Sequence, residues 1–521
     1  MRYLFIHRNA PGQYKHIIRT LAANPANEVV VVSQFNDREI PGVRRVAYTP
    51  APQGDARPHH WLRTADEAMR FGQGALAEVK KLKASGFTPD LMVGHNAWGE
   101  TLFLKDVWPD APLLSYFEFF YAARGADTGF DPEFPASLDD YPRTRMMNTV
   151  NLLGLDAADW GHAPTFWQRD RFPALHRPRI SVIHEGIDTK AIRPNPNRVL
   201  RLPDNGGDVR FGDEIITFVS RSLEPYRGFH VFMRALPEIL RRRPKARVLV
   251  VGNDDVSYGA RLADGRCFRE ALIAEQGGRI DLSRVHFLGW VPYEVHLAIL
   301  QVSAVHVYLT YPFVLSWSML EAMASGCCVV GSATPPVMEV IRDGENGLLT
   351  DFFSQKGLAD RIDQALDVPG LADRLRARAR QTIVERYDLE TVCLPRFLRL
   401  FDDLVAGRPP EPDVTPSESL VMTYAAALTQ ATTAAREGRW GDVDHLCRLV
   451  LAQRPQSAEM LQLLAGRSMA SGRAGEAEEL MRRVLALHPQ HGSGLHALAT
   501  ALDAQGDGER AEVVRRRAAS C

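Results

Sequence analysis

The stretch YLTYPFVLSWSMLEAMASGCCVVGSATPPVMEVIRDGENGLL, Tyr308 to Leu349, constrains the fold of this chain most tightly. Val305 to Thr310 is a β-branched apolar run suited to a strand buried on both faces, and Tyr311-Pro312 stops it. Ser316 or Ser318 can then cap a helix carrying Met319, Leu320, Ala322 and Met323, and Cys328 to Val330 restart a strand. Buried strands joined through a helix read as parallel neighbours. The helix between them starts at the carboxyl edge of the sheet, where its free backbone N–H groups and its dipole suit a phosphate. Glu321 sits one turn inside it.

The same alternation recurs along most of the chain. RYLFIH (Arg2 to His7) is an apolar strand that runs through a turn holding Gly12 and Gln13 into a helix with Ile17, Ile18 and Leu21 on one face. Strands are expected at 28–35, 43–49, 89–95, 113–119, 161–166 and 180–185, with helices at 62–85 and 145–156. His95 ends one strand, and Glu118 lies near the end of another. The aromatic segment 117–134 has no clean period and reads as a long loop over a cleft. Pro194 to Gly212, rich in Pro, Asn, Asp and Gly, reads as a linker or surface loop. A second series then begins, with strands at 215–221, 247–253 and 284–290 and helices at 229–243 and 293–301, and it leads into the stretch above. Two doubly wound halves are expected, 1–187 and 188–406, with ligands in a crevice at the carboxyl edges of their sheets.

Residues 407–418 form a Pro-rich tether. Beyond it, over 419–521, a repeat emerges: Gly438, Gly472 and Gly506 are 34 apart, as are Pro455 and Pro489, and Leu451 and Leu485. A glycine between two amphipathic helices and a proline after the second resembles tetratricopeptide repeats, an all-α array. The period does not say what the array binds.

Composition excludes some partners. A formal charge of −1 supplies no global field for nucleic acid or an anionic membrane. No apolar run reaches the roughly 20 residues that span a bilayer. The first residues lack the order of a signal peptide, so a cytoplasmic location is expected, including one peripheral to the inner face of a membrane. The six cysteines show no CxxC pair and no ligand spacing, so no metal site is expected.

Taken in order, HRNAPGQYKH, GHNAWGE, IHEGID, SRSLEPYRGF, FLGW with VPYEVH, and LEAMASGCCVVGS with VMEVIRDGENGLL resemble a family 4 glycosyltransferase of the GT-B fold, over about residues 1–405. The resemblance implies two Rossmann-like domains facing across a cleft, an N-terminal acceptor-side domain and a C-terminal domain that binds a nucleotide sugar. It implies a retaining, metal-independent transferase acting on a protein or glycan acceptor, with no cofactor beyond the nucleoside-diphosphate-sugar donor. The repeats lie outside it and are expected to recruit the acceptor. A catalytically weak scaffold acting through the repeats is the alternative, and a phosphorolytic enzyme of the same architecture is a further one.

Carried over residue by residue, the family's diphosphate grip is an arginine and, six residues on, a lysine before a glycine. Arg221 fits the first, and Arg227, followed by Gly228, replaces the lysine with a planar fork of donors. Glu321 matches the second of two glutamates eight positions apart and is expected to accept from the donor ribose. The first should fall at 313, where this chain has Phe313. Ser316, Trp317 and Ser318 offer backbone amides to the phosphates. Gly12 matches a glycine loop that approaches the phosphates, with Gln13 near the sugar. His95 matches a strand-end histidine that approaches the donor sugar, and Glu100 and Glu118 are rival carboxylates.

Overall fold

In the computed structural model, described for residues 1–34, 39–54, 57–203, 206–413, 424–451, 454 and 456–519, the chain divides into two compact units. The end of the expected 407–418 tether, the start of the 419–521 repeats, Pro455 and Cys521 lie outside the described residues.

Unit one comprises Met1–Ala123, Pro135–Asp188 and Glu385–Leu420. Its strands are β1 (Arg2–Ile6), β2 (Glu28–Ser33), β3 (Val43–Ala47), β4 (Leu91–His95), β5 (Leu113–Tyr116), β6 (Trp160–Ala163) and β7 (Ile180–Val182). They form one parallel sheet in the order β3-β2-β1-β4-β5-β6-β7. The two-residue period of a strand sorts β1 between two apolar layers. Tyr3 and Phe5 face the layer of Ile17, Ile18 and Phe401, and Leu4 and Ile6 face that of Phe71 and Val79. The order reverses between β1 and β4, so the loops after these strands flank the crevice where open sheets bind ligands.

The helix Leu394–Val405 buries Phe397, Leu400, Phe401 and Leu404, spaced for one helical face, against β1 of unit one. Residues Glu385–Leu420 therefore group with the first sheet, although 385–406 was expected in the second half. Its amphipathic face is readable in the sequence, but its target sheet is not.

Unit two comprises Arg124–Phe134, Thr189–Val384 and Val421–Cys521. An antiparallel ribbon, β8 (Val199–Arg201) with β9 (Asp208–Arg210), stands where a plain linker was expected. The strands β10 (Ile215–Ser222), β11 (Arg247–Asn253), β12 (Val285–Gly289), β13 (Val305–Tyr308), β14 (Cys328–Ser332) and β15 (Leu348–Thr350) form a parallel sheet in the order β12-β11-β10-β13-β14-β15. Its switch point lies between β10 and β13, at the stretch that opened the sequence analysis. The expectation of two parallel α/β halves followed by helices holds.

Among the described residues, six helices follow from Tyr424 to Ala518. Gly438, Gly472 and Gly506 adopt φ of +70°, +72° and +80°, which ends the first helix of each pair at a left-handed turn. Small and apolar side chains, including Ala431, Val443, Leu461, Ala477, Met481 and Leu498, form their common core. The helices dock on the α/β part of the same unit. Glu479 accepts from Ser354 Oγ and from the backbone N–H of Lys356 at 3.1 Å, and Arg483 pairs with Asp351 at 2.9 Å. No helix among the described residues is long and apolar enough to cross a membrane.

Candidate active site

In unit two the site grows from the end of β10. The β10 register shifts between Val219 and Ser222, and Arg221 lies in that irregularity, exposed and without a hydrogen bond or ion pair to any described residue. The chain then tucks inward. The buried Glu224 carboxylate accepts the backbone N–H groups of Ser257, Tyr258 and Gly259, at 3.0, 3.1 and 2.8 Å, which moors this turn to the loop after β11. Pro225–Arg227 makes one tight turn, and Gly228 follows at φ +67°. A Cβ on Gly228 would stand 2.4 Å from the Leu309 side chain, so glycine is required both by the backbone angle and by the approach to β13.

Arg227 is 8% exposed, and its Nη1 donates to Thr310 Oγ1 at 2.8 Å, to the Val314 carbonyl at 3.0 Å and to Tyr308 Oη at 3.2 Å. Its guanidinium carbon lies 5.6 Å from the ring centre of Tyr258 and 5.9 Å from that of Phe313. All these neighbours are neutral, and among the described residues no carboxylate lies within ion-pair distance of Arg227. Burying a cation costs several kcal/mol unless an anion compensates it. Among the described residues no anion compensates this charge.

The Trp317–Ala324 helix starts beside it. Ser316 caps this helix by accepting from the Ser318 N–H at 3.3 Å, and the Ser316 N–H donates to Tyr308 Oη at 2.9 Å. Tyr308 Oη thus joins Arg227 to a helix start, a cation and a dipole that suit the same phosphate. Trp317 is 43% exposed and is no core residue. One turn on, Glu321 accepts from Tyr293 Oη at 2.7 Å and faces His296 Nε2 at 3.0 Å. Phe313 is buried against Tyr226 and Tyr258, with ring centres 5.5 and 4.9 Å away.

The segment Arg124–Phe134, expected as part of a loop, belongs to unit two and is pinned there. Asp127 accepts from Tyr226 Oη at 2.9 Å, and Asp131 accepts from Tyr311 Oη at 2.8 Å and faces His230 Nε2 at 2.9 Å. Glu133 receives both Nη atoms of Arg234, at 2.6 and 2.8 Å. Ligand atoms of Asp131, Glu133 and His230 lie within 4.8 Å of one another, a spacing a metal ion could use. The Asp131 and Glu133 oxygens are already matched to protein donors, so the cluster reads as a latch. Burial pushes the Asp131 carboxyl up, but hydrogen bonding and charge from His230 outweigh it and hold the group below the usual carboxylate range.

Unit one carries a second polar group at the ends of β1, β4 and β5. His95 is fully buried, stacked on Trp98 with ring centres 4.0 Å apart, and its Nε2 lies 3.5 Å from Glu118 Oε2. Gln13 Oε1 is 2.6 Å from His7 Nε2, and Gln13 Nε2 is 3.5 Å from Glu118 Oε1. Burial and the neighbouring His95 lower the His7 pKa to about 3, so its ring is neutral at physiological pH. A Cβ on Gly12, at φ +48°, would lie 2.2 Å from the His7 ring. In this structure, then, His7 is what excludes a side chain at Gly12.

Of the expected residues, Arg227, Ser316 and Ser318 come together around Tyr308, with Trp317 and Glu321 on the same helix, and Gln13 and His95 meet at Glu118. Arg221 makes no contact with this group. Glu100 is a buried acid that accepts from Tyr48 Oη at 2.7 Å, and burial raises its pKa. His7, Tyr293 and His296 escaped the sequence reading. His7 directly follows β1 and His95 ends β4, so the strand-end rule could have found it. The pairing of Tyr293 and His296 with Glu321 has no local signal.

Two parallel-sheet α/β units, each with a switch point in its strand order, define the GT-B class of fold. The chain belongs to the family 4 glycosyltransferases: the Glycosyl transferase family 4 group matches residues 25–192, and Glycosyl transferases group 1 matches residues 207–382. A D-inositol 3-phosphate glycosyltransferase of Corynebacterium aurimucosum is 27% identical over 268 residues, 51% of this chain and 60% of that protein. A phosphatidyl-myo-inositol mannosyltransferase of Mycobacterium leprae is 27% identical over 217 residues, 41% of this chain and 52% of that protein. The chain thus spans only about half the length of these curated relatives. In fold it resembles sucrose-phosphate synthase of Thermosynechococcus elongatus, with a TM-score of 0.59 at 18% identity over 78% of this chain and 100% of that one. It also resembles Anabaena HepE, solved with UDP and glucose, with a TM-score of 0.53 at 17% identity over 77% of this chain and 100% of that one.

Proposed function

We propose that this protein transfers a sugar from a nucleoside-diphosphate-sugar donor to an acceptor hydroxyl. The observation that carries this reading is the buried Arg227, which has only neutral partners and adjoins a helix start. As the sugar departs, negative charge develops on the diphosphate, and preorganised donors aimed at developing charge are the largest aid such a site can give. Arg227 and the dipole at the start of the Trp317–Ala324 helix supply that stabilisation, and Arg221 is free to swing onto the outer phosphate. These groups provide the charge that a metal would otherwise bring, so the proposed reaction needs neither metal nor cofactor. Glu321 suits the vicinal hydroxyls of the ribose, and Gln13, His95 and Glu118 offer polar groups for a sugar. Retention follows if the departing phosphate itself takes the acceptor proton on the face the donor leaves.

The acceptor in this reading is a protein or a glycan that the repeats recruit. Inositol phosphates, which the names of the relatives specify, are the competing acceptor class. Incubating the protein with UDP-, GDP- and ADP-sugars, each with a glycan, a peptide or inositol 3-phosphate, and recording nucleoside diphosphate release and product anomer tests it. Acceptor-dependent release of one diphosphate in the presence of a chelator, with the product anomer matching the donor, is expected. Binding without release under every pairing would favour a scaffold acting through the repeats.

A further inference from the structure

We propose that Tyr293 and His296 are positioning residues that hold the Glu321 carboxylate ready for a vicinal diol. This inference rests on the nucleotide reading above and names the part of it that fixes the ribose.

The two side chains come from one short helix, Tyr293–Val302, that follows β12. They stand three residues apart, the spacing that puts side chains on one helical face, and their ring centres are 5.9 Å apart. From that face both cross to the neighbouring Trp317–Ala324 helix. Tyr293 Oη donates to Oε1 of Glu321 at 2.7 Å, and His296 Nε2 faces Oε2 at 3.0 Å. Each carboxylate oxygen therefore has its own partner, and none is shared.

That division limits what the carboxylate can still bind. An ionised carboxylate has about four acceptor directions, two on each oxygen. One is filled on each side, so one remains on each side. Two hydroxyls on adjacent ring carbons, as in ribose, present two donors matched to that pair. Glu321 is 9% exposed, Tyr293 is 51% exposed and Trp317, one turn before Glu321 on the same helical face, is 43% exposed. The clasped acid thus lies at the edge of the surface, beside an open aromatic ring that suits the flat apolar face of a nucleoside. A glutamate without the clasp would have to give up rotamer freedom when the nucleotide arrives, which weakens binding, whereas here the structure has already fixed it.

A plain tie between two helices would look similar, so the test must see the diol. Dissociation constants for the full chain are measured by calorimetry with the ribo and 2′,3′-dideoxy forms of UDP, GDP and ADP. For the diphosphate that binds, the wild type should prefer the ribo form. Tyr293→Phe and His296→Leu should each weaken ribo binding by about tenfold and dideoxy binding by less than about twofold. His296→Gln keeps a donor and should stay within about twofold of wild type. Equal losses on both forms, or no loss on either, overturn the positioning role; the ribose reading survives that result if Glu321→Gln abolishes the preference. A wild type that binds both forms alike, or binds none of the three diphosphates, overturns the ribose reading and the positioning role together.

Discussion

Replacing Arg227 by methionine should separate binding from stability, because the two effects draw on different parts of its surroundings. In the unliganded protein the two Nη1 hydrogens of the guanidinium are shared among three neutral acceptors, worth about 2 kcal/mol net together, against a desolvation cost of several kcal/mol for a buried ion. Methionine keeps an apolar stem for the rings of Tyr258 and Phe313 and removes the charge. It also leaves Thr310 Oγ1 and the Val314 carbonyl without this donor, at about 1–3 kcal/mol each, while Tyr308 Oη keeps the Ser316 N–H. Gain and loss nearly cancel, so the urea midpoint of the unliganded variant should move by no more than about 2 kcal/mol in stability. A diphosphate, by contrast, loses about two charge-assisted hydrogen bonds, some 3 kcal/mol or more, which is roughly a hundredfold in the dissociation constant. Calorimetry with UDP, GDP and ADP beside urea unfolding measures both. A variant destabilised by more than about 4 kcal/mol whose diphosphate affinity stays within about threefold of wild type would refute the reasoning and make Arg227 a structural residue.

Two further outcomes follow from buried carboxylates. His230→Ala removes one partner of Asp131 and leaves Tyr311 and the Glu133 N–H, a loss of about 1–3 kcal/mol, so amide exchange in residues 124–134 should quicken while the repeats keep their protection. Because the folded-state value of Asp131 is depressed, the wild-type latch is at full strength above the ordinary aspartate range and weakens as pH falls through the folded value. Glu479 behaves in the opposite sense: burial raises its pKa to about 7 from 4.5, so docking of the repeats favours the protonated acid and loses stability as pH rises across that interval. Glu479→Gln should remove that loss and leave the variant more stable than wild type at pH 8, as read by exchange protection of the Ala474–Leu487 helix.

What the sequence made legible is what local periodicity encodes. Continuous apolar runs in β1 and β13 mark strands because their side chains must be buried on both faces of a parallel sheet, and the 34-residue spacing of Gly438, Gly472 and Gly506 marks helix pairs because the chain turns between the two helices of each pair in a left-handed conformation. His95 was findable as a strand-end residue, and Arg227 through the family spacing of an arginine and, six residues on, a cation before a glycine. What stayed hidden depends on contacts across long separations. Tyr311 reaches Asp131 across 180 residues and Tyr293 reaches Glu321 across 28, and no period records either. The neutral shell of Arg227 was equally invisible, because a buried guanidinium and a surface one read alike until their neighbours are placed.

The repeats are held to unit two by directional polar contacts. Arg467, from the repeats, and Arg361, from the α/β part, share Asp343 at 3.3 and 2.6 Å. Arg467 also pairs with Asp444 at 3.1 Å, and Arg448 meets Asp444 at 2.7 Å. Arg483 pairs with Asp351 and stands 4.5 Å from the ring centre of Phe353, which stacks on Phe130 of the pinned segment. Buried pairs of this kind add little net stability, because desolvation offsets most of the attraction. They do penalise every other arrangement, since sliding the module by one helical turn would leave several charges buried without partners. An apolar patch of the same size would tolerate such sliding. The chemistry of this junction therefore fixes the orientation of the repeats on the α/β part of unit two more than their affinity for it.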